Sequence, residues 1–361
     1  MATVSQIYDY VLGVDTHAKQ HAVSLVQAQD GTEVDSGVFP VTPAGYSRCV
    51  SWVQKRTGST LVLVSMEGTG SFGQGLRREF GRASLPVVEA PIPPIRGKRR
   101  RPKTDLKDAH RAALAVLAID EQALLIPRQG HTRSALRVLV AGRQRVTIAN
   151  TAAINHLTAL VRSEDLGVDA RKPLSRIQIR TIAGWRARLE AQHLGCIRAE
   201  ATRIAKDIEN NWDYLEANKS QINALVTSLS PALIQMSGIG PITAAQILLA
   251  WSHPGRFRNE AAFAALAGTS PIPASSGNHV RYRLNRGGDR NLNKALHTAV
   301  VVRMRIDEDT KAYVKRRTEE GKNKREIMRC LKRYLARQIH RTLTTQTQQL
   351  HTSEETPNIA A

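Results

Sequence analysis

The stretch "YVLGVDTHAKQHAVSLVQA", residues 10–28, decides how the N-terminal part of this chain folds. "YVLGVD" (10–15) is a short apolar run of strand character. A tight polar connection follows, and "HAVSLVQA" (21–28) reads as a second strand. "DSGVFPVT" (35–42) extends the pair into an antiparallel meander. A helix over about 43–57, the buried-type strand "LVLVSMEG" (61–68), the helix "SFGQGLRREFG" and the strand "LPVVEAP" come next. A last helix runs from about Asp105 through "AHRAALAVLAI". Three meandering strands followed by strand–helix alternation predict an RNase-H-like α/β fold. A nucleotide-binding doubly wound sheet would open instead with a strand, a Gly-rich turn and a helix.

The chain carries 52 Lys+Arg against 31 Asp+Glu, a net charge of +21 and a pI near 10.5. An excess of that size points to a polyanionic partner, and nucleic acid is the commonest. No apolar run reaches spanning length, so a membrane role is not expected. Aromatic residues make up 4% of the chain, which argues against recognition by base stacking. Cys49, Cys196 and Cys330 are too scattered for a disulfide framework or a zinc site. With no signal-peptide pattern before the first strand, a reduced, cytoplasmic, nucleoid-associated protein is expected.

Four regions are expected: an RNase-H-like domain (1–128), a helical coiled-coil linker (129–232), a mostly helical C-terminal domain (233–345) and a disordered tail (346–361). In the linker, Leu194, Ile197, Ala201, Ile204, Ile208, Leu215, Ile222, Leu225 and Leu229 recur at spacings of three, four and seven. They predict a long helix with a coiled-coil-like seam, interrupted around Trp212 and Asn218. Such a helix serves as a spacer and oligomerisation surface, or is buried within one subunit. In the C-terminal domain, "MSGIGPITAAQILL" (236–249) has the form of a helix-hairpin-helix, whose backbone N–H groups can hold a DNA phosphate, and equally of a plain Gly-Pro turn.

The segment "RGKRRRPKTDLKDAH", residues 96–110, is the most basic in the chain, yet Asp105 and Asp108 lie three apart at its end. Asp15 ends the first strand, Glu67 ends the central one, and the strand order sets these ends side by side. If the helix that begins at Asp105 crosses the sheet, four carboxylates meet. They cannot all stay ionised without cations, so the cluster calls for Mg²⁺ or Mn²⁺. Two such ions suit phosphodiester cleavage. Arg96, Lys98, Arg99, Arg100, Arg101 and Lys103 would then hold the nucleic-acid backbone. Taken singly, each acid has a plainer reading: Asp15 a turn residue, Glu67 a surface acid, Asp105 a helix N-cap with Asp108 at N3.

A second constellation is "SSGNHVRYRLNRGGDR", residues 275–290. Ser275 and Ser276 precede a glycine and the guanidinium groups of Arg281, Arg283, Arg286 and Arg290. This arrangement suits backbone binding, and also phosphoryl transfer to a serine hydroxyl with arginines neutralising the developing charge.

Taken in order, "GVDTHAKQHAV", "MEGTGSFGQGL", "KTDLKDAHRAA", "MSGIGPITAAQIL", "RFRNEAAFAALAG", "SSG" and "NRGGDRNLNKAL" resemble the DEDD transposases of the insertion sequence 110 family, over roughly residues 10–315. The resemblance implies a RuvC-resolvase-like N-terminal domain with Asp15, Glu67, Asp105 and Asp108 as its acidic tetrad. It implies that a serine of "SSG", Ser276 or alternatively Ser275, joins covalently to DNA. It also implies oligomers (dimer or tetramer) in which domains of different subunits complete one site, and an element-encoded noncoding RNA that guides recombination. The chain departs from many relatives around the serines, with "GTSPIPA" before them and "GNHVRYRL" after. A metal-dependent nuclease or Holliday-junction resolvase using water as nucleophile would employ the same four acids. A non-catalytic nucleic-acid-binding protein would need none of them.

Overall fold

The computed structural model describes residues 2–91, 104–128, 130–253, 255–257, 259–273, 282–283, 285 and 287–354. The chain divides into two compact units, Met1–Gln129 and Gly130–Ala361.

The first unit is α/β. After a short helix α1 (Val4–Ile7) come β1 (Tyr10–Thr16), β2 (Gln20–Gln27) and β3 (Glu33–Pro40), then α2 (Pro43–Thr57), β4 (Val62–Met66), α3 (Gln74–Arg82), β5 (Val87–Glu89) and α4 (Asp105–Leu114). The sheet order is β3-β2-β1-β4-β5. β1–β2 and β2–β3 are antiparallel, whereas β1–β4 and β4–β5 are parallel, with Val14 opposite Met66.

Side chains alternate between the two faces of a strand, and both faces here are covered. Leu12, Val14, Val64 and Met66 pack against Cys49 and Val53 of α2 and Leu76 and Phe80 of α3. Val11, Val26, Leu63 and Val88 face Ala113 of α4 and Val116 beyond it. Double coverage explains why β1 and β4 read as nearly continuous apolar runs.

The second unit is mostly helical: α5 (His131–Ser163), α6 (Arg176–Ala183), α7 (Gln192–Leu229), α8 (Pro231–Gln235), α9 (Pro241–Trp251), α10 (Glu260–Leu266), the two-stranded ladder β6 (Ile272–Pro273) and β7 (Tyr282–Arg283), α11 (Arg290–Ile306), α12 (Glu308–Glu319) and α13 (Lys324–Glu354). The far end of α5 shares a core with α6 and the start of α7, through Leu157, Val161, Ile179, Ile182, Ala201, Ile204 and Ile208. The near end of α5 and the end of α7 join the core of the later helices, where Leu136, Ile222 and Val226 meet Leu233, Phe263, Leu292 and Ile339. The α7 seam is therefore largely covered within the subunit.

Two expectations are corrected here. The interruption of α7 around Trp212 and Asn218 is absent, and one helix runs from Gln192 to Leu229. Trp212 packs on the α5–α6–α7 core under the Arg176 guanidinium, and the buried Asn218 amide donates to the Leu139 carbonyl at 3.1 Å. A buried amide costs little once it is hydrogen-bonded, so the polar residue does not break the seam. The expected tail from residue 346 is helical as far as Glu354. Buried Leu343 continues the packed face of α13, and the Gln346 amide accepts from Ser230 Oγ and donates to the Leu229 carbonyl. Residues 355–361 lie outside the described residues.

The "GIGP" turn packs on α11. Gly238 takes a φ of +76° and a Cβ there would stand 2.6 Å from the Ala299 carbonyl oxygen, while Arg303 Nε donates to the Ser237 carbonyl at 2.7 Å.

Candidate active site

Asp15 is placed by strand alternation. Gly13 and Asp15 share the sheet face that α4 covers, and Gly13 has no side chain, so α4 comes down onto the strand. A Cβ at residue 13 would lie 1.9 Å from the Ala109 carbonyl oxygen and 2.6 Å from the Ala113 nitrogen. The small face of α4 (Ala109, Ala112, Ala113) completes this close approach, and Ser65 Oγ of β4 donates to the Ala112 carbonyl at 2.6 Å. The first turn of α4 is thereby held over the C-terminal end of β1.

Three side chains meet there. His17 Nε2 stands 3.0 Å from Asp15 Oδ2 and 3.5 Å from Asp105 Oδ1. One ligand atom from each of Asp15, His17 and Asp105 lies within 4.8 Å of the other two. Asp15 is buried, at 8% exposure, while His17 and Asp105 are open to solvent. An ionised carboxylate only accepts, so a hydrogen bond from His17 to Asp15 uses the tautomer with hydrogen on Nε2. Next door, His21 is fully buried and stacked on Tyr46. Desolvation and the nearby His17 push its pKa down, against the pull of Asp15.

Glu67 follows β4 directly, and its N–H donates to the Val14 carbonyl at 3.1 Å, which fixes it beside Asp15 at the same sheet end. Leu63 and Ser65 face α4, and Glu67 is the next position of that alternation. Its side chain is exposed and is not among the three grouped atoms. Asp108 lies in the first turn of α4 with Asp105, and its carboxylate is paired with Arg111 at 2.6 Å. The plainer reading of Asp105 as N-cap and Asp108 as N3 is corrected. Thr104 is the N-cap, Asp105 is the first helical residue, and the Thr104 side chain makes no capping bond.

In the second unit, β6 and β7 pair antiparallel, Ile272 opposite Arg283 and Pro273 opposite Tyr282, and residues 274–281 connect them. Arg283 is exposed on β7, and Arg290 is exposed at the start of α11, where the Asp289 carboxylate caps the Asn291 and Leu292 N–H groups. Ser275, Ser276, Arg281 and Arg286 lie outside the described residues, as do Arg96, Lys98, Arg99, Arg100, Arg101 and Lys103.

Two family models cover these two regions. A model of DEDD transposases of IS110 elements, described as "Transposase", matches residues 12–164, and one described as "Transposase IS116/IS110/IS902 family" matches residues 230–315. The chain belongs to the IS110 transposase family. A relative from Streptomyces coelicolor, "Insertion element IS110 uncharacterized 43.6 kDa protein", is 33% identical over 122 residues. That match spans 33% of this chain and 30% of the relative's length.

The family's DEDD class suggests a divalent metal, and the donor set of this member fits one. Two carboxylate oxygens and an imidazole nitrogen within 4.8 Å of one another match the span of ligands around a single small cation. Arg111 pairs with Asp108, and His17 bridges Asp15 and Asp105, which still leaves the acids in excess of the cations beside them. His17 is the site residue that sequence reasoning missed. It sits in the quoted "LGVDTH", and its signal was its place two residues beyond Asp15, on the same side of the extended chain.

Proposed function

We propose that this IS110-family member cuts and rejoins DNA as the transposase of its insertion sequence. Asp15, Glu67, Asp105 and Asp108 serve as its acidic tetrad on an RNase-H-like, RuvC-like domain. The strand order β3-β2-β1-β4-β5, three antiparallel strands and two parallel ones, supports that reading of the fold. The observation that carries the proposal is the convergence of Asp15, His17 and Asp105 within 4.8 Å at the end of the central strands.

Asp15, Glu67, Asp105 and Asp108, with His17 beside them, would hold Mg²⁺ or Mn²⁺. Such an ion supplies Lewis acidity toward a phosphate oxygen when bound. In the C-terminal domain Ser276 is the nucleophile. Its Oγ forms a bond to a DNA phosphorus, the P–O bond to the departing sugar breaks, the serine proton is released, and the sugar oxygen leaves as a hydroxyl. The phosphoserine link retains the phosphodiester's energy, so a DNA hydroxyl attacking it reseals the strand without ATP. Arg281, Arg283, Arg286 and Arg290 stabilise the charge on the phosphate. Arg96, Lys98, Arg99, Arg100, Arg101 and Lys103 hold the backbone over the acids.

The working form is a homo-oligomer, dimer or tetramer, in which domains from different subunits complete each site. Its partners are the element ends, the target DNA and a guide noncoding RNA transcribed from the element, so it acts on the nucleoid in the cytoplasm. Among the described residues no helix is long and apolar enough to cross a membrane. A strand-transfer assay tests the proposal, with labelled element-end DNA, target duplex, flanking RNA and Mg²⁺. Recombinant product from the wild type, lost in Asp105→Asn, is expected. Cleaved ends with no joined product would replace it with a water-using nuclease.

A further inference from the structure

The helical unit holds a cleft of about 620 Å³ between the strand ladder and α13, and no role has been given to it. One wall is the base of the ladder, from Gly268 to Pro271 together with Arg283 and Asn285. The other is Lys322 and the face of α13 that carries Arg329, Lys332, Arg333 and Arg337. Arg329, Arg333 and Arg337 follow one another four residues apart, which puts them in a single stripe along the helix.

Six cations line this cleft, and the carboxylates around it do not match them. Glu260 pairs with Arg333 and, at 3.7 Å, with Arg337. Glu326 is spent on the start of α13, where its Oε2 accepts from the Asn323 N–H at 3.0 Å. Among the described residues, Arg283, Lys322 and Arg329 have no carboxylate partner. Lys332 Nζ reaches only a neutral acceptor, Asn293 Oδ1 at 2.8 Å. Asn293 is itself held by a bond from its Nδ2 to the Ala267 carbonyl, so the ammonium is fixed at the cleft wall. Partial burial pushes the pKa of Lys332 down, and it pushes that of Arg333 down as well, with Arg337 adding to the effect. Concentrating like charge in a half-buried cleft is costly unless an anion enters it.

We infer that this cleft is a binding site for the phosphodiester backbone of the DNA strand handled at the β6–β7 ladder, with Arg283, Lys322, Arg329 and Lys332 contacting successive phosphates. The choice of occupant follows from the cleft's construction. Arg283 of the ladder faces Lys322 and the Arg329, Lys332, Arg333 and Arg337 side chains of α13 across it, so cations line both walls as a polyanionic chain requires. Its cations run along α13 from Arg329 to Arg337, about 12 Å at 1.5 Å per residue, which suits a continuing chain better than a free phosphate. The inference rests on the DNA-transposase reading and adds to it a track on α13 that no motif marked.

Cys330 lines the same cleft and provides a local probe. Cys49 is buried, with its thiol pushed up to about 12 by desolvation, and stays unreactive; exposed Cys196 is replaced by serine. In full-length Cys196→Ser protein, maleimide labelling of Cys330 is followed with a labelled 40-mer duplex DNA, with an RNA duplex of the same sequence, and with neither, in EDTA to prevent turnover. DNA affinity is measured in parallel against salt for Arg283→Gln, Arg329→Gln, Lys332→Gln and the charge-preserving Lys332→Arg.

Saturating DNA is expected to slow Cys330 labelling several-fold. Each Gln variant is expected to bind about 10-fold more weakly and to lower the slope of log K against log salt by roughly 0.9, with Lys332→Arg near wild type. DNA binding by the wild type with unchanged Cys330 labelling and unchanged slopes would overturn the cleft assignment and leave the transposase reading standing. Protection by RNA alone would overturn the DNA assignment. Absence of any DNA binding by the wild type would remove both.

Discussion

Gly13 and Ala109 touch backbone to backbone. A methyl group at residue 13 would fall 1.9 Å from the Ala109 carbonyl oxygen, inside any possible contact. This close approach sets α4 on β1 and brings Asp105, one turn before Ala109, over Asp15, two residues after Gly13. Gly13→Ala must therefore move the helix. Overpacking of this kind costs about 1–3 kcal/mol. A thermal melt should show a Tm several degrees below wild type, accompanied by loss of strand transfer. An unchanged Tm with full activity would mean that α4 is not seated on the strand as described.

Asp15 and Asp105 are expected to act on the chemistry and not on DNA capture. Asp15→Asn and Asp105→Asn should each lower strand transfer at least 100-fold. Their DNA affinity, read by fluorescence anisotropy in EDTA, should stay at the wild-type level or rise, because a negative charge near phosphates has been removed. Affinity that fell along with transfer would assign these acids to the fold or to binding.

His17 bridges Asp15 and Asp105 through one nitrogen. If that nitrogen becomes a ligand or an orienting group for the ion, His17→Ala should raise the Mn²⁺ concentration for half-maximal transfer by about 10-fold. Activity at saturating Mn²⁺ should largely return. A lower metal requirement in His17→Ala would instead make His17 a competitor of the ion.

Asp307 supplies a pH-dependent contribution to stability well away from the acids. It caps α12, its carboxylate accepting from the Thr310 N–H at 3.0 Å and the Thr310 hydroxyl at 2.6 Å. The Thr310 side-chain bond is the main cause of its depressed pKa, with help from the Thr310 N–H and Arg303. A depressed carboxylate stabilises the fold above the ordinary carboxylate range and loses that contribution as pH falls through its own folded pKa. Asp307→Ala should cost about 1 kcal/mol at neutral pH. The gap to wild type in chemical denaturation should narrow as pH falls below the ordinary carboxylate range. A gap independent of pH would mean that the carboxylate's charge contributes nothing.

The first unit was legible because each of its strands announces itself by length and pattern. The helix expected over 43–57 is α2, and the strands expected near 10–15, 21–28 and 61–68 are β1, β2 and β4 with small shifts. The placing of Asp15 and Asp105 was legible for the same reason, since a strand end and a helix start in that order leave few arrangements. His17 was not, because its role depends on where the chain turns after β1. Asn218 misled, since a polar residue in an apolar seam looks like a break until the Leu139 carbonyl that satisfies it is known. The α13 cleft was hidden for a similar reason. Arg329 and Lys332 gain meaning only when Arg283, far off in sequence, is brought opposite them.

The central claim is a serine-linked DNA intermediate that depends on the acidic site. The direct measurement is a trapping experiment on a denaturing gel, in which protein is incubated with Mg²⁺, labelled element-end DNA and RNA from the flanking noncoding sequence. The adduct is then digested and the modified peptide mapped by mass spectrometry. The account predicts a DNA–protein adduct mapped to Ser276, present in Ser275→Ala and lost in both Ser276→Ala and Asp105→Asn. Cleavage of the DNA without any adduct, unaffected by either serine change, would contradict it.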